Sequence, residues 1–249
     1  MHFTQTCDED FPRQLTQVTT TIAPIPDRHA LPDIHTNLEQ HELLPELHLV
    51  DAGSTDAEAL VAAQTAYQVD LIGPTAKDYR WQAREQNGYA LSDFAIDWER
   101  EQARCPQANL SRSWTPTRTR NQEIIKIKFG YAPCGRCRVR PQGTQSRQRT
   151  LSVRRREAYV ALEAARQREQ TEEFKKEYAR RAGVEGVHAQ GVRTMGLRRS
   201  RSIGEPRTHL QHVVTAAAMN VCRLHDWVEG ISPHATPLSH FARLMKEAA

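Results

Sequence analysis

The sequence contains no long apolar run. No stretch approaches the roughly 20 residues that a membrane-spanning helix needs, and the N-terminus lacks the apolar core of a secretory signal. The hydrophobic fraction is low, at 39%, and the mean hydropathy is −0.67. These features argue against a membrane partner. They predict a soluble chain with much polar surface that stays in the cytoplasm.

Cysteine is also scarce. The chain has five Cys, an odd number, and shows no sign of secretion, so we expect no disulfides. Cys134-x-x-Cys137 has the spacing of a zinc-binding pair, and Cys105 offers a third thiolate. A structural zinc site takes four ligands, and no histidine stands near these cysteines in the sequence. Reduced, unliganded thiols are therefore the expected state, with a weak zinc site as the alternative.

Basic residues are scarce in the first part of the chain, and acidic residues are outnumbered in the second. Residues 1–104 hold 7 Lys and Arg against 18 Asp and Glu, whereas residues 105–249 hold 27 against 12. The basic half contains clusters such as Arg154-Arg-Arg156 and Arg198-Arg-Ser-Arg201. This asymmetry predicts that the basic half meets a polyanion such as DNA. The alternative is that basic helices neutralise the acidic half within the molecule.

The apolar pattern predicts a mixed α/β fold. Segments 2–7 and 14–23 are rich in Thr, Val and Ile and predict two antiparallel strands. Residues 46–73 predict a strand, a helix opened by a capping box at Thr55, and a second strand. Strands joined by such a crossover usually pair in parallel, which places Asp51 at a strand's carboxyl end, where α/β folds hold ligands. We expect all four strands in one mixed sheet.

The rest of the chain divides into a β part and a helical part. Residues 80–150 predict an inserted small β subdomain, with strands at Phe94–Trp98 and Ile124–Phe129. One long charged helix is expected over residues 152–182. A final helix, capped by Thr208, carries apolar residues at helical spacing. We expect this stripe to face the core; it consists of Leu210, Val213, Val214, Ala217, Val221, Leu224 and Val228.

Three residues near the C-terminal end combine a carboxylate with a cation. Tyr178, Arg181 and Glu185 are spaced by three and then four residues, so on a continuous helix they share one face. A carboxylate offered to a metal, beside cations that suit a phosphate backbone, is what phosphodiester chemistry needs. The alternative interpretation is an exposed Arg181–Glu185 ion pair with no further role.

This block resembles the last third of the DDE transposases of bacterial insertion sequences, where Tyr178-x-x-Arg181-x-x-x-Glu185 matches the motif of the third catalytic acid. His48-Leu-Val-Asp51-Ala-Gly53 is similar to the strand-end motif of the second acid. The resemblance runs from about Phe3 to Gly230. It implies a ribonuclease H-like mixed sheet flanked by helices, in which Asp51 and Glu185 are catalytic and bind Mg²⁺ or Mn²⁺.

The same resemblance assigns supporting residues and partners. Tyr178 and Arg181 would support Glu185. The implied partners are DNA at transposon ends and full-length transposase or a further copy in a homo-oligomer, with no membrane. The expected DNA-binding residues are Arg180, Arg193, Arg198, Arg199 and Arg201.

The chain departs from the family pattern at three points. The first catalytic acid has no match, because its strand would precede Met1. An aromatic residue is replaced by Ser54, and a frequent Lys by Val192. The resemblance therefore implies the C-terminal portion of a transposase, with little or no strand-transfer activity by itself. The alternative function is a catalytically inactive, nucleic-acid-binding remnant of a mobile element.

The expected organisation follows from these assignments. Residues 1–79 and 151–230 would form the catalytic core, 80–150 the cysteine-bearing insertion, and 231–249 a tail. We expect the carboxylates of Asp51 and Glu185 to approach to roughly 4–8 Å, close enough to share a metal pair.

Overall fold

The computed structural model describes residues 1–8, 10–22, 24–85, 87–119 and 122–231. The chain divides into two compact units. Unit 1 comprises Met1–Pro26, Thr36–Leu43 and Arg180–Ala249, and unit 2 comprises Asp27–His35 and Leu44–Ala179. The tail predicted at 231–249 lies outside the described residues from position 232 onward. The division into a core with an insertion stays a prediction.

Strands and helices alternate along the first half of the chain, and helices dominate the end. The strands in the described residues are β1 His2–Gln5, β2 Leu15–Thr19, β3 Leu47–Leu49, β4 Asp70–Ile72, β5 Ala95–Asp97, β6 Gln102–Arg104, β7 Ser111–Thr119, β8 Gln122–Phe129 and β9 Thr150–Arg154. The helices are α1 Leu31–Gln40, α2 Ala57–Tyr67, α3 Trp81–Arg84, α4 Tyr131–Gly135, α5 Arg140–Gly143, α6 Arg156–Glu169, α7 Glu172–Ala179, α8 Val184–Thr194 and α9 Glu205–Val228. None of these helices is long and apolar enough to cross a membrane.

Unit 1 is built on a hairpin and helices. β1 and β2 pair antiparallel, as predicted, and their apolar side packs with α8 and α9 around Leu15, Val187 and Met219. Asn220 of α9 holds the backbone of Leu15 from both sides: its Oδ1 accepts the N–H at 2.8 Å and its Nδ2 donates to the carbonyl at 2.9 Å. These contacts fix which side of α9 is buried.

The prediction for the buried face of α9 was wrong. The predicted stripe is exposed, for example Leu210 at 62% and Val221 at 69%. The buried residues are instead His212, Thr215, Ala216 and Met219. The stripe and the buried residues share helical spacing, so periodicity alone could not choose between the two faces. The β1–β2 hairpin packs against one of the two faces of α9, and this contact determines which face is buried.

Unit 2 contains the predicted strand–helix–strand segment. β3 and β4 pair in parallel, with His48 opposite Leu71, and α2 forms the crossover between them. The N-cap of α2 is Asp56 rather than the predicted Thr55, since the Asp56 carboxylate accepts the N–H of Ala59 at 2.8 Å. α6 contributes Ala165 to the same core. The parallel pairing that places Asp51 is therefore confirmed.

The single mixed sheet predicted for the first four strands does not form in the described residues. β1 and β2 make one two-stranded sheet, and β3 and β4 make another. β3 and β4 are three residues long, so each edge offers few backbone groups to a further strand. The fold class is mixed α and β, with several small sheets.

The second half of unit 2 is a compact β region. β7, β8 and β9 form an antiparallel sheet in that order, and β5 pairs with β6. The apolar side of this sheet buries Ile127, Phe129 and Leu151 against Phe94. The two strands predicted in this region are confirmed as β5 and β8.

The long helix predicted over 152–182 is divided. Its first residues belong to β9, which adds to the edge of β8. α6 then ends at Glu169, and Thr171 caps a new helix by accepting the N–H of Phe174 at 3.1 Å. A 3-10 turn over Arg180–Gly183 separates α7 from α8. Capping and strand pairing thus override a charge pattern that suits one continuous helix.

Candidate active site

Asp51 lies two residues beyond the end of β3, in the turn that leads to α2. The side chain is half-buried. Ser54 closes the turn twice: its N–H donates to the Asp51 carbonyl at 3.1 Å, and its hydroxyl donates to the carboxylate Oδ1 at 2.9 Å. Ser54, noted only as a departure from a family pattern, therefore orients the carboxylate. The signal in the sequence was a Ser three residues after an Asp, a spacing typical of such turns.

Two contacts press the Asp51 turn against the end of β4. Gly73 passes so close to β3 that a Cβ there would lie 2.5 Å from the Val50 carbonyl oxygen and 2.7 Å from Thr55 Cγ2. Only glycine permits this approach. Thr55, buried, donates its hydroxyl to the carbonyl of Pro74. The turn is thus held by contacts among the residues that directly follow the two strands of the parallel pair.

A pair of histidines connects β3 with α1. His48 of β3 bonds His35 of α1, with Nδ1 and Nε2 3.0 Å apart. The ring of Tyr67 lies 5.2 Å from that of His35. Burial, together with repulsion from His35, lowers the pKa of His48 to about 4. At neutral pH the pair is therefore uncharged, and it forms a hydrogen-bonded contact between α1 and β3.

Glu185 occupies a different environment in unit 1. It is the second residue of α8, where the helix dipole favours a carboxylate. Its side chain is 77% exposed and meets Arg181 Nη1 at 3.4 Å. The predicted i, i+4 ion pair is present. Such an exposed pair contributes little stability, so Glu185 keeps a carboxylate open to solvent.

The three residues of the motif do not lie on one continuous α-helix. Tyr178 belongs to α7, Arg181 to the 3-10 turn, and Glu185 to α8. Within unit 2 the ring of Tyr178 stacks on Phe174, with centroids 5.5 Å apart and planes 8° apart. The prediction of one continuous helix was wrong here, because the 3-10 turn changes the angular step per residue.

A loop between α8 and α9 presents most of the predicted DNA-binding arginines. Leu197, buried, anchors the loop: its N–H donates to Gly191 at 3.1 Å, and its side chain fills the space over that glycine. The Gln211 side chain then accepts the N–H of Arg201 and donates to the Arg199 carbonyl, each at 2.9 Å. These bonds fix the backbone while the arginine side chains project outward. We call this segment, residues 195–204, the arginine loop.

The predicted DNA-binding residues divide into two kinds. Arg180 is half-buried, donates to the Cys7 carbonyl at 3.2 Å and pairs with Asp8 at 3.7 Å, so it is engaged inside unit 1. The others are exposed, and in the part of the chain that the structure describes no carboxylate pairs with them. They are Arg193, Arg198, Arg199 and Arg201.

The cysteines of unit 2 lie at the edge of the β core. Cys105 and Cys134 pack against the cluster around Phe129, and Asn109 donates to Cys105 Sγ at 3.8 Å. Cys137 follows α4 and donates its N–H to the carbonyl of Cys134. All five cysteines are free thiols.

The residues that the structure describes contain no complete metal site. Carboxylates such as Asp51 and Glu185 are of the donor type that Mg²⁺ prefers. However, the described part of the chain brings no three His, Cys, Asp or Glu side chains together as a possible ligand group. Asp51 belongs to unit 2 and Glu185 to unit 1, and their approach to 4–8 Å stays a prediction. No reaction step through a metal therefore follows from this structure.

Exposed arginines on a fixed loop, with no carboxylate partner among the described residues, suit a polyanion. Residues 104–225 match the family described as Transposase DDE domain. The matched segment contains Glu185 and the arginine loop, whereas Asp51 lies outside it. This match confirms the resemblance to DDE-type transposases over these residues. No curated protein and no solved structure matches the chain.

Proposed function

We propose that this protein serves DNA transposition by binding transposon DNA through the arginine loop, with Asp51 and Glu185 as its catalytic, metal-binding carboxylates. The observation that carries the proposal is the family match over 104–225, which spans both the arginine loop and Glu185. Antiparallel β1–β2, followed by the parallel β3–α2–β4 segment, supports the further proposal of a ribonuclease H-like relationship.

The structure of the arginine loop supports the DNA-binding part of the proposal. Arg198, Arg199 and Arg201 stand within four residues on a backbone held by Leu197 and Gln211. Guanidinium groups that lack carboxylate partners are free to pair with phosphates, and fixed backbone lowers the entropy lost on binding. We expect binding to duplex DNA with little sequence preference, because contacts to phosphates carry no base information.

A salt titration tests DNA binding. The anisotropy of a labelled duplex is followed for the wild type and for the triple change of Arg198, Arg199 and Arg201 to Gln. Each lost phosphate contact should lower the slope of log K against log salt by about 0.9. The control removes the same charge from exposed positions of unit 2, by changing Arg136, Arg138 and Lys176 to Gln, and should leave the slope nearly unchanged.

A second variant separates loop geometry from charge. Gln211→Leu keeps every arginine but releases the Arg199 and Arg201 backbone, so we expect weaker binding at unchanged net charge. Equal effects of the triple variant and its control would assign binding to net charge alone. Absence of binding at low salt would favour internal neutralisation of the acidic half.

The catalytic roles of Asp51 and Glu185 are tested by divalent-dependent cleavage of DNA. Any cleavage by the wild type in Mg²⁺ or Mn²⁺ is expected to be weak, because the first catalytic acid has no match. Asp51→Asn and Glu185→Gln should each abolish it while leaving DNA binding intact. Glu172→Gln is the matched control, because Glu172 is also exposed and also pairs with a cation one turn away, Lys175 at 2.6 Å. Cleavage that survives both substitutions would remove these residues from the proposal.

A second candidate function is DNA binding without catalysis. The observation that favours it is the lack of any three-residue ligand group among the described residues. Wild-type protein that binds duplex DNA as above, but cleaves none in either metal, would establish this function in place of the first.

A further inference from the structure

The helix α9 has two apolar sides. One side is committed to unit 1, where Met219 is fully buried and Asn220 holds β2. Arg223, one turn on, donates to the carbonyl of Arg13 at 2.9 Å and to Gln190 at 3.3 Å. This side of α9 is therefore already packed and hydrogen-bonded within unit 1.

The other side of α9 is an exposed stripe with a heptad repeat. Its residues are separated by four, three, four, three and four positions, and all are exposed. That spacing has a period of 3.5 residues, which keeps one seam facing a partner helix along its length. The seam, named here the α9 stripe, consists of Leu210, Val214, Ala217, Val221, Leu224 and Val228.

We infer that the α9 stripe pairs with the same stripe of a second copy of this chain, as a short parallel two-stranded coiled coil. The first heptad position is Val at 214, 221 and 228, and the fourth is Leu or Ala at 210, 217 and 224. Val at the first position with Leu at the fourth favours two parallel strands. This inference does not depend on the proposed function.

The residues that flank the seam permit self-association. The flanking positions carry no Asp, Glu, Lys or Arg, so two identical helices meet without repulsion between like charges. Two of the flanking residues add apolar surface: Val213 is 40% exposed and Trp227 is 53% exposed. The flanking residues are Gln211, Val213, Ala218, Asn220, His225 and Trp227.

The area of the stripe sets the strength of the dimer. The large apolar residues of the stripe and its flanks are between 40% and 69% exposed, and covering them removes roughly 300–500 Å² per partner from water. A stable interface usually buries about 800 Å² per partner. We therefore expect a weak dimer that forms and dissociates with protein concentration rather than an obligate one.

Sedimentation equilibrium of the full chain tests the pairing. Across roughly 1 µM to 1 mM, the range in which so small an interface dissociates, the mean mass of the wild type should rise toward that of a dimer. Leu224→Asp should weaken the dimer at least about tenfold. Ile203→Asp is the matched control, because Ile203 is 94% exposed in the same unit but lies outside the stripe, and it should behave as the wild type. A monomer at every concentration, or a dimer indifferent to Leu224→Asp, would overturn the inference.

Disulfide trapping tests the direction of the pairing. In a parallel dimer equivalent first positions face each other, so Val214→Cys and Val228→Cys, each in a Cys222→Ser background, should both form covalent dimers on mild oxidation. An antiparallel pair would bring neither residue to its own copy and would contradict the inference. A monomer whose new thiols resist a thiol reagent would show that another part of the same chain covers the stripe, which overturns it too.

Discussion

The two candidate catalytic carboxylates stand in contrasting surroundings. Asp51 is half-buried in a turn closed by Ser54 and pressed against β4 through Gly73. Glu185 projects from the first turn of α8, is 77% exposed and pairs with Arg181 at 3.4 Å. One acid is held by hydrogen bonds and steric contact, and the other mainly by the helix that carries it.

The two surroundings predict different tolerance to substitution. Around Asp51 the backbone of two strands is in contact, so added atoms have no space and lost hydrogen bonds leave buried groups unsatisfied. At Gly186, next to Glu185, an added Cβ would meet nothing within 4 Å. We therefore expect substitutions around Asp51 to change stability strongly and those around Glu185 to change it weakly.

The largest effect should come from Gly73→Val. The new Cβ would lie 2.5 Å from the Val50 carbonyl oxygen, and backbone cannot yield as a flexible side chain can. We expect a loss of about 3 kcal/mol or more in the unfolding free energy of unit 2. Urea unfolding followed by tryptophan fluorescence measures it. A loss below 1 kcal/mol would mean that the turn is not pressed against β4 as described.

The pH dependence of unit 2 should come next in size. The pKa of His48 is lowered to about 4 in the folded chain, against about 6.5 when unfolded. The unfolded state then binds more protons between these values, so stability is complete above pH 6.5 and falls as the pH drops toward 4.

We expect a loss of about 2 kcal/mol from this one group, after allowance for partial exposure. Urea unfolding at pH 7.5 and 4.5 measures it, and His48→Gln should reduce the pH dependence by that amount. An unchanged pH dependence in His48→Gln would assign the effect to other groups.

A smaller effect is expected from Ser54→Ala. The change removes the 2.9 Å hydrogen bond to the Asp51 carboxylate, and we expect a loss of about 1 kcal/mol in unit 2. The control is Ser146→Ala, an exposed serine that makes no side-chain bond to a carboxylate among the described residues. If both serines behave alike in urea unfolding, the Asp51 turn does not depend on the hydroxyl.

The smallest effect should have the opposite sign. Gly186→Ala places a methyl group in open space within α8, and Ala is the better helix former, so unit 1 should gain about 0.5–1 kcal/mol. Urea unfolding followed by circular dichroism reports the gain. Destabilisation would show that a neighbour approaches Gly186 closely in solution.

Local patterns predicted much of the region around Asp51. Alternation of short apolar segments with turn residues predicted β3, α2 and β4 and their parallel pairing, because a strand–helix–strand crossover leaves few other arrangements. The N-cap was misplaced by one residue. Thr55 and Asp56 are both good caps, and Thr55 is occupied by the carbonyl of Pro74.

The region around Glu185 was predicted less well. The spacing of Tyr178, Arg181 and Glu185 correctly predicted the ion pair between the last two. It could not predict the 3-10 turn over Arg180–Gly183. Charges at helical spacing look the same whether or not the backbone tightens locally from an α-helix to a 3-10 helix. The same limit explains the break between α6 and α7, which depends on the cap at Thr171.

Residues close together in the chain were enough to predict three features. These are the family resemblance, the strand–helix–strand unit that carries Asp51, and the charge of the arginine loop. Which side of α9 is buried depends instead on contacts between distant parts of the chain. That choice depends on Asn220 meeting Leu15, 205 positions away, and on a hairpin that offers one apolar face. Two faces with similar periodicity differ only in what packs against them, and local spacing does not contain that information.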